Sequence, residues 1–205
     1  MIKIGLTGGI GSGKTTVAHI LEQEGYPVYI SDRQASELIN KNREIRSALT
    51  GLFGTTLYSD DNNLNKKKLA EIIFNDKTAL QKVNAIVHPV VLEDFRQWSL
   101  LQSGNLVFFE SAILFEAGLE KNFDRIISVY ASRQTRIQRV VDRDKVCPEQ
   151  VIKRIENQMA DDIKCQKSDF TIYTDRGLDL NQQIKDIIEP VSYTHLRAHE
   201  TDSYL

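Results

Sequence analysis

The chain has 205 residues, 41% hydrophobic and 26% charged, enough for one globular domain with a sizeable core and room for inserted subdomains. Its 26 Lys and Arg stand against 28 Asp and Glu, a net charge of -2, so no global basic field favours nucleic acid or an anionic membrane, and any anion site must be local. Cys147 and Cys165 fit no zinc spacing and are too few for a disulfide framework, which suits a reducing compartment.

In chain order, residues 1–6 form a short apolar run bounded by glycines and read as a buried strand. The passage straight from Met1 into that run lacks a signal peptide's longer apolar centre, so the start reads as cytoplasmic. No later run approaches the roughly 20 apolar residues of a membrane helix. A helix is expected over 14–24, with Val17, Ile20 and Leu21 on one face and Gly25 as its stop. A second strand follows over 26–30, and Ser31 or Asp32 suits the N-cap of the next helix. From Glu44 to about Leu101 the pattern is helical without strong strands, with a polar turn over 59–63 and Pro89 in the first turn of a new helix. Strands are expected at 106–110, 125–130 and 170–173, helices over 134–143 and 148–158, and a closing helix through Ile184, Ile187 and Ile188 up to Pro190. The alternation predicts an α/β fold: a mainly parallel five-stranded sheet in three layers, interrupted by helical insertions.

Residues 191–205 lack periodicity and read as a foreign tail, similar to adaptor-derived read-through, or alternatively a disordered native one. His195 and His199 have the i, i+4 spacing of a metal pair, but no nearby Cys or third His supports that reading.

Gly8, Gly9, Ile10, Gly11, Ser12, Gly13, Lys14 and Thr15 match G-x-x-x-x-G-K-[ST] in full between a strand and a helix. Glycines let successive backbone N–H groups turn inward around phosphate oxygens, and the helix N-terminus adds partial positive charge. Lys14 would reach the β- and γ-phosphates of ATP, Thr15 would ligate Mg2+, and Thr16 would lie near the α-phosphate. No N-K-x-D guanine signature and no transporter signature occur, leaving a small-molecule kinase as the economical reading.

Asp32 falls just past the second strand, at the sheet edge where open α/β folds bind ligands, and is either a general base or an N-cap. Arg133, Arg136, Arg139 and Arg143 share an arc of about 120° on one helix, either a solvated face or guanidiniums closing over phosphate. The solvated reading suits the first member or two best. Glu110 at the end of strand three is a candidate Mg2+ acid or simply a strand-end charge; His88-Pro89 can be a helix-entry pair, and Glu116 has no independent chemical argument.

Taken together, these elements resemble the dephospho-coenzyme A kinase family over residues 1–188. The resemblance rests on Thr7-Gly8-Gly9-Ile10-Gly11-Ser12-Gly13-Lys14, Asp32, His88-Pro89, Ile113-Leu114-Phe115-Glu116, Arg139-x-x-x-Arg143-Asp144, Arg154-x-x-x-Gln158 and Lys167-Ser168-Asp169-Phe170, in the family's order. It implies ATP-dependent phosphorylation of the 3'-hydroxyl of dephospho-CoA to CoA, with Mg2+. Asp32 would be the base, Lys14, Arg139 and Arg143 would be catalytic, and Asp32, His88, Glu116 and Arg154 would contact substrate. It also implies a core of 1–35, 102–138 and 166–190, a CoA-binding insertion over 36–101 and a lid over 139–165. Three positions depart from the family: Ser31 leaves a single carboxylate before the helix, Ala112 replaces a usual Pro, and Thr174 replaces a usual Asn. Another small-molecule kinase, for a nucleoside monophosphate or sugar acid, and a non-catalytic nucleotide switch are the rival readings.

Overall fold

The computed structural model describes residues 1–59 and 63–201, with backbone alone at 74, 75 and 192–201. The expected turn over 59–63 therefore falls largely outside the described residues, as do the side chains of His195 and His199.

Five strands form one sheet: β1 (Ile2–Thr7), β2 (Val28–Ile30), β3 (Leu106–Glu110), β4 (Arg125–Tyr130) and β5 (Phe170–Tyr173), in the order β2-β3-β1-β4-β5. β1 pairs in parallel with β3 and β4, and β4 with β5. The central strands are continuous apolar runs rather than alternating ones because helices cover both faces of a parallel sheet. All five residues of β3 are buried, and Leu6 and Phe108 are wholly inaccessible. Register places Leu6 beside Glu110, so strand ends β1 and β3 deliver the glycine loop and an acid to one edge.

Contacts divide the chain into two compact units, residues 1–29 with 102–205, and residues 30–101. The second unit holds α2 (Ser31–Lys41), α3 (Arg43–Phe53), α4 (Lys66–Asn75) and α5 (Lys77–Leu100), preceded in the first by α1 (Lys14–Gln23). Side chains cap three of these: Asn42 accepts from the amides of Glu44 and Ile45, Asn65 from Lys68, and Asp76 from Thr78 and Ala79. The first unit continues with α6 (Arg133–Asp144), α7 (Pro148–Glu156), α8 (Asp161–Lys167) and α9 (Leu180–Thr201).

Three local expectations are corrected. Pro89 does not start a helix but lies inside the 24-residue α5. An interior Pro costs about 3 kcal/mol, whereas Val83, Val87, Val91 and Phe95 bury one i, i+4 stripe worth about 1.5–3 kcal/mol per side chain, so packing wins. Likewise α9 does not stop at Pro190: the buried Val191 continues the face of Ile187 and Ile188. Finally, neither Ser31 nor Asp32 is an N-cap. That position belongs to Ile30, no side-chain bond closes it, and Asp32 lies exposed in the first turn, where a negative charge suits the helix dipole. The short α8 has no counterpart in the sequence reading, because its one buried side chain is a lysine.

Candidate nucleotide site

The loop from Gly8 to Gly13 joins β1 to α1. Gly13 is the N-cap of α1 with φ 100°, a left-handed conformation, and a Cβ there would stand 3.0 Å from the Thr174 methyl. No side chain caps this helix, so its first-turn amides and positive dipole end are offered to an anion. Thr15 and Thr16 are exposed in that first turn.

Lys14 is 8% exposed; its Nζ donates to the Gly9 carbonyl at 3.3 Å and lies 3.9 Å from Glu110 Oε1. The sheet register thus brings together the loop lysine and the strand-end acid singled out from sequence. Among the described residues no group of three or more His, Cys, Asp or Glu is arranged to hold a metal. A Thr hydroxyl and one carboxylate are nevertheless the hard oxygen donors that Mg2+ takes, with phosphate oxygens and water completing its shell.

The arginine stripe sorts differently from its spacing. Arg133 is exposed and pairs with Glu156 at 3.3 Å, as a solvated face predicts. Arg136, also read as solvated, is only 3% exposed: its Nε donates to the Ile10 carbonyl at 2.8 Å and its guanidinium pairs with Asp161. Arg139 donates to the carbonyls of Gly11 and Ser12 at 3.4 Å each, and to the hydroxyl and carbonyl of Thr174 at 2.8 and 2.9 Å. Arg143 and Arg154 are both half-exposed and share the carboxylate of Asp144 at 2.7 and 3.0 Å. Hydrogen bonds from Arg143, reinforced by Arg154, hold the Asp144 carboxyl below the usual carboxylate range.

Glu116 is engaged within the fold. It pairs at 2.8 Å with Lys164, which is wholly buried and also donates to the Ala112 carbonyl at 2.6 Å, and it accepts the Met159 amide at 2.8 Å. Asp169, of the Lys167-Ser168-Asp169-Phe170 motif, accepts the Ile126 amide at 2.7 Å and so fixes β5 to β4. Thr174 donates its hydroxyl to the Ser12 carbonyl at 2.7 Å. Within the second unit, the Asp32 carboxylate acts on His88 across from α5: burial pushes the imidazole pKa down, and that negative charge partly restores it.

Arg136, Asp161 and Lys164 were the functional-region residues that sequence reasoning missed. The only advance signal was the place of Arg136 in the stripe, since a buried ion pair between two helices leaves no periodic trace.

Comparisons with known proteins extend over nearly the whole chain. The family model described as dephospho-CoA kinase matches residues 2–179. A Dephospho-CoA kinase of Bacteroides fragilis is 41% identical over 199 residues, 97% of this chain and 95% of its own. One of Fusobacterium nucleatum is 32% identical over 92% of this chain and 97% of its own. A solved structure from Thermus thermophilus superposes with TM-score 0.82 at 30% identity, covering 92% of this chain and 96% of that one. The Dephospho-CoA kinase of Campylobacter jejuni superposes with TM-score 0.66 at 25% identity, covering 94% and 98%. A loop, a lysine and a strand-end acid would fit many phosphotransferases, but a match along nearly the whole length does not, and the chain belongs to the dephospho-CoA kinase family.

Proposed function

We propose that the chain transfers the γ-phosphoryl group of ATP to the ribose 3'-hydroxyl of dephospho-CoA, giving CoA and ADP, in the cytoplasm. The observation that carries the reading is the strand–loop–helix that buries Lys14 beside Glu110 in a chain of this family. The amides of the loop and of the first turn of α1 receive the phosphates, and Lys14 adds its charge at the β- and γ-oxygens. Thr15 and Glu110 would hold Mg2+, which supplies charge neutralisation at the phosphates when bound.

Asp32 is the general base: its carboxylate orients the 3'-hydroxyl and accepts its proton as the oxygen attacks phosphorus. With Ser31 beside it, one carboxylate serves that role. His88 and Arg154 contact the acceptor. Arg143 exchanges its Asp144 partner for phosphate as a lid over 139–165 closes, while Arg139 adds positive charge from behind the loop. The helical unit that follows Asp32 provides the CoA-binding surface over 36–101.

ADP release coupled to an indicator, with ATP, Mg2+ and dephospho-CoA, tests the proposal. Turnover with a product heavier by one phosphate is expected; a folded chain giving neither overturns it. Faster turnover of a nucleoside monophosphate or sugar acid in the same assay would replace the acceptor and keep the kinase.

A further inference from the structure

The glycine loop carries contacts that its motif does not require. On one side its carbonyls are taken in succession: Ile10 by Arg136 at 2.8 Å, then Gly11 and Ser12 by Arg139, with the Thr174 hydroxyl also on Ser12 at 2.7 Å. On the other, two leading amides are taken by side chains. Gly9 N–H donates to Asp161 Oδ1 at 3.1 Å and Ile10 N–H to Gln158 Oε1 at 2.8 Å. Asp161 in turn pairs with Arg136, the two side chains being 13% and 3% exposed. A Cβ on residue 9 would meet the Arg136 guanidinium and stand 2.6 Å from Asp161 Oδ1, so glycine at that position is what admits the pair.

A peptide unit is planar, with C=O and the following N–H pointing opposite ways. Holding the carbonyls of Ile10 and Ser12 toward α6 therefore turns the amides of Gly11 and Gly13 away from it, and the Ser12 amide closes the loop on the Gly9 carbonyl at 3.1 Å. Such a loop has its donors oriented before any anion arrives, which removes an ordering cost from binding. We propose that Arg136, Gln158 and Asp161 form a brace of positioning residues that sets the phosphate loop in its accepting shape, with Arg139 and Thr174 as its second support. The brace rests on nucleotide binding by the loop and not on the identity of the acceptor.

The test compares Gln158→Ala, Gln158→Glu and Asp161→Asn with the parent chain. Amide hydrogen exchange across residues 8–13 is followed without nucleotide, ATP affinity by calorimetry, and kcat and the acceptor KM by ADP release. Losing one acceptor from an otherwise satisfied amide should weaken ATP binding about 5- to 100-fold and speed loop exchange by a similar factor, with the acceptor KM within about twofold. Gln158→Glu keeps an acceptor oxygen and should recover most of the loss. Loop exchange and ATP affinity within about twofold of the parent in folded Gln158→Ala would overturn the brace. Gln158 carries no charge and is partly exposed, so its two variants decide the matter even if Asp161→Asn does not fold. A chain that loses ATP affinity as described yet never phosphorylates dephospho-CoA would support the brace and strike the acceptor instead.

Discussion

Replacing Glu116 by Ala isolates a charge that the fold has taken wholly out of water. Lys164 is 0% exposed, and apart from the Ala112 carbonyl its ammonium is balanced by Glu116 at 2.8 Å. Breaking a buried ion pair from one side costs about 3–5 kcal/mol, and the 22% exposure of the Glu116 side chain argues for the lower end. At about 2–4 °C per kcal/mol for a chain of this size, the melting temperature should fall by about 6–12 °C. The loss should also depend on pH. Burial lowers the Lys164 pKa in the folded state, and Glu116 opposes that shift. Between the lowered folded pKa and the higher unfolded one, the unfolded chain binds more protons, so stability rises with pH there. Without Glu116 the folded pKa drops further and this window widens downward, so the deficit against the parent should shrink as pH rises from neutral toward the ordinary lysine range. Thermal unfolding of both chains across that range is the assay. A pH-independent difference under about 2 °C would refute the reasoning and return Glu116 to a role at the substrate.

Lys14→Ala removes the cation expected at the transferring phosphate and should lower kcat by about 100- to 1000-fold in steady-state assays, with the fold retained by circular dichroism. Asp32→Asn should lower kcat by about 100-fold or more while the acceptor KM changes little; an unchanged kcat would leave Asp32 as a helix-end charge only. Pro89→Ala restores an amide donor inside α5 and should stabilise the chain by about 1–3 kcal/mol in urea unfolding, whereas no change would mean that the carbonyl four residues earlier is already satisfied.

Sequence legibility followed chemical constraint. The loop was readable because four of its eight positions are restricted in type: glycine at 8 and 13, where φ is positive, and lysine and threonine at 14 and 15, as the phosphate-loop motif requires. Strand order along the chain was readable because buried parallel strands are short apolar runs. The helix boundaries suggested by Pro89 and Pro190 fail because Val91 and Val191 continue a buried face across each proline, and that packing outweighs local propensity. The arginine stripe showed the limit of periodicity. Spacing put four guanidiniums on one arc, but whether each meets solvent, a loop carbonyl or a carboxylate depends on what α6 packs against, and sequence ranked Arg136 among the most solvated when it is the most buried of the four. Lys164 and Asp161 left no signal for the same reason, since each is defined by a partner distant in sequence.

The acceptor is what separates this chain from other phosphate-loop kinases. With ATP and Mg2+ present, the chain should convert dephospho-CoA to a product heavier by one phosphate with stoichiometric ADP, and should prefer it over nucleoside monophosphates and sugar acids. ATP bound by a folded chain, with no ADP released in response to dephospho-CoA, would contradict the account.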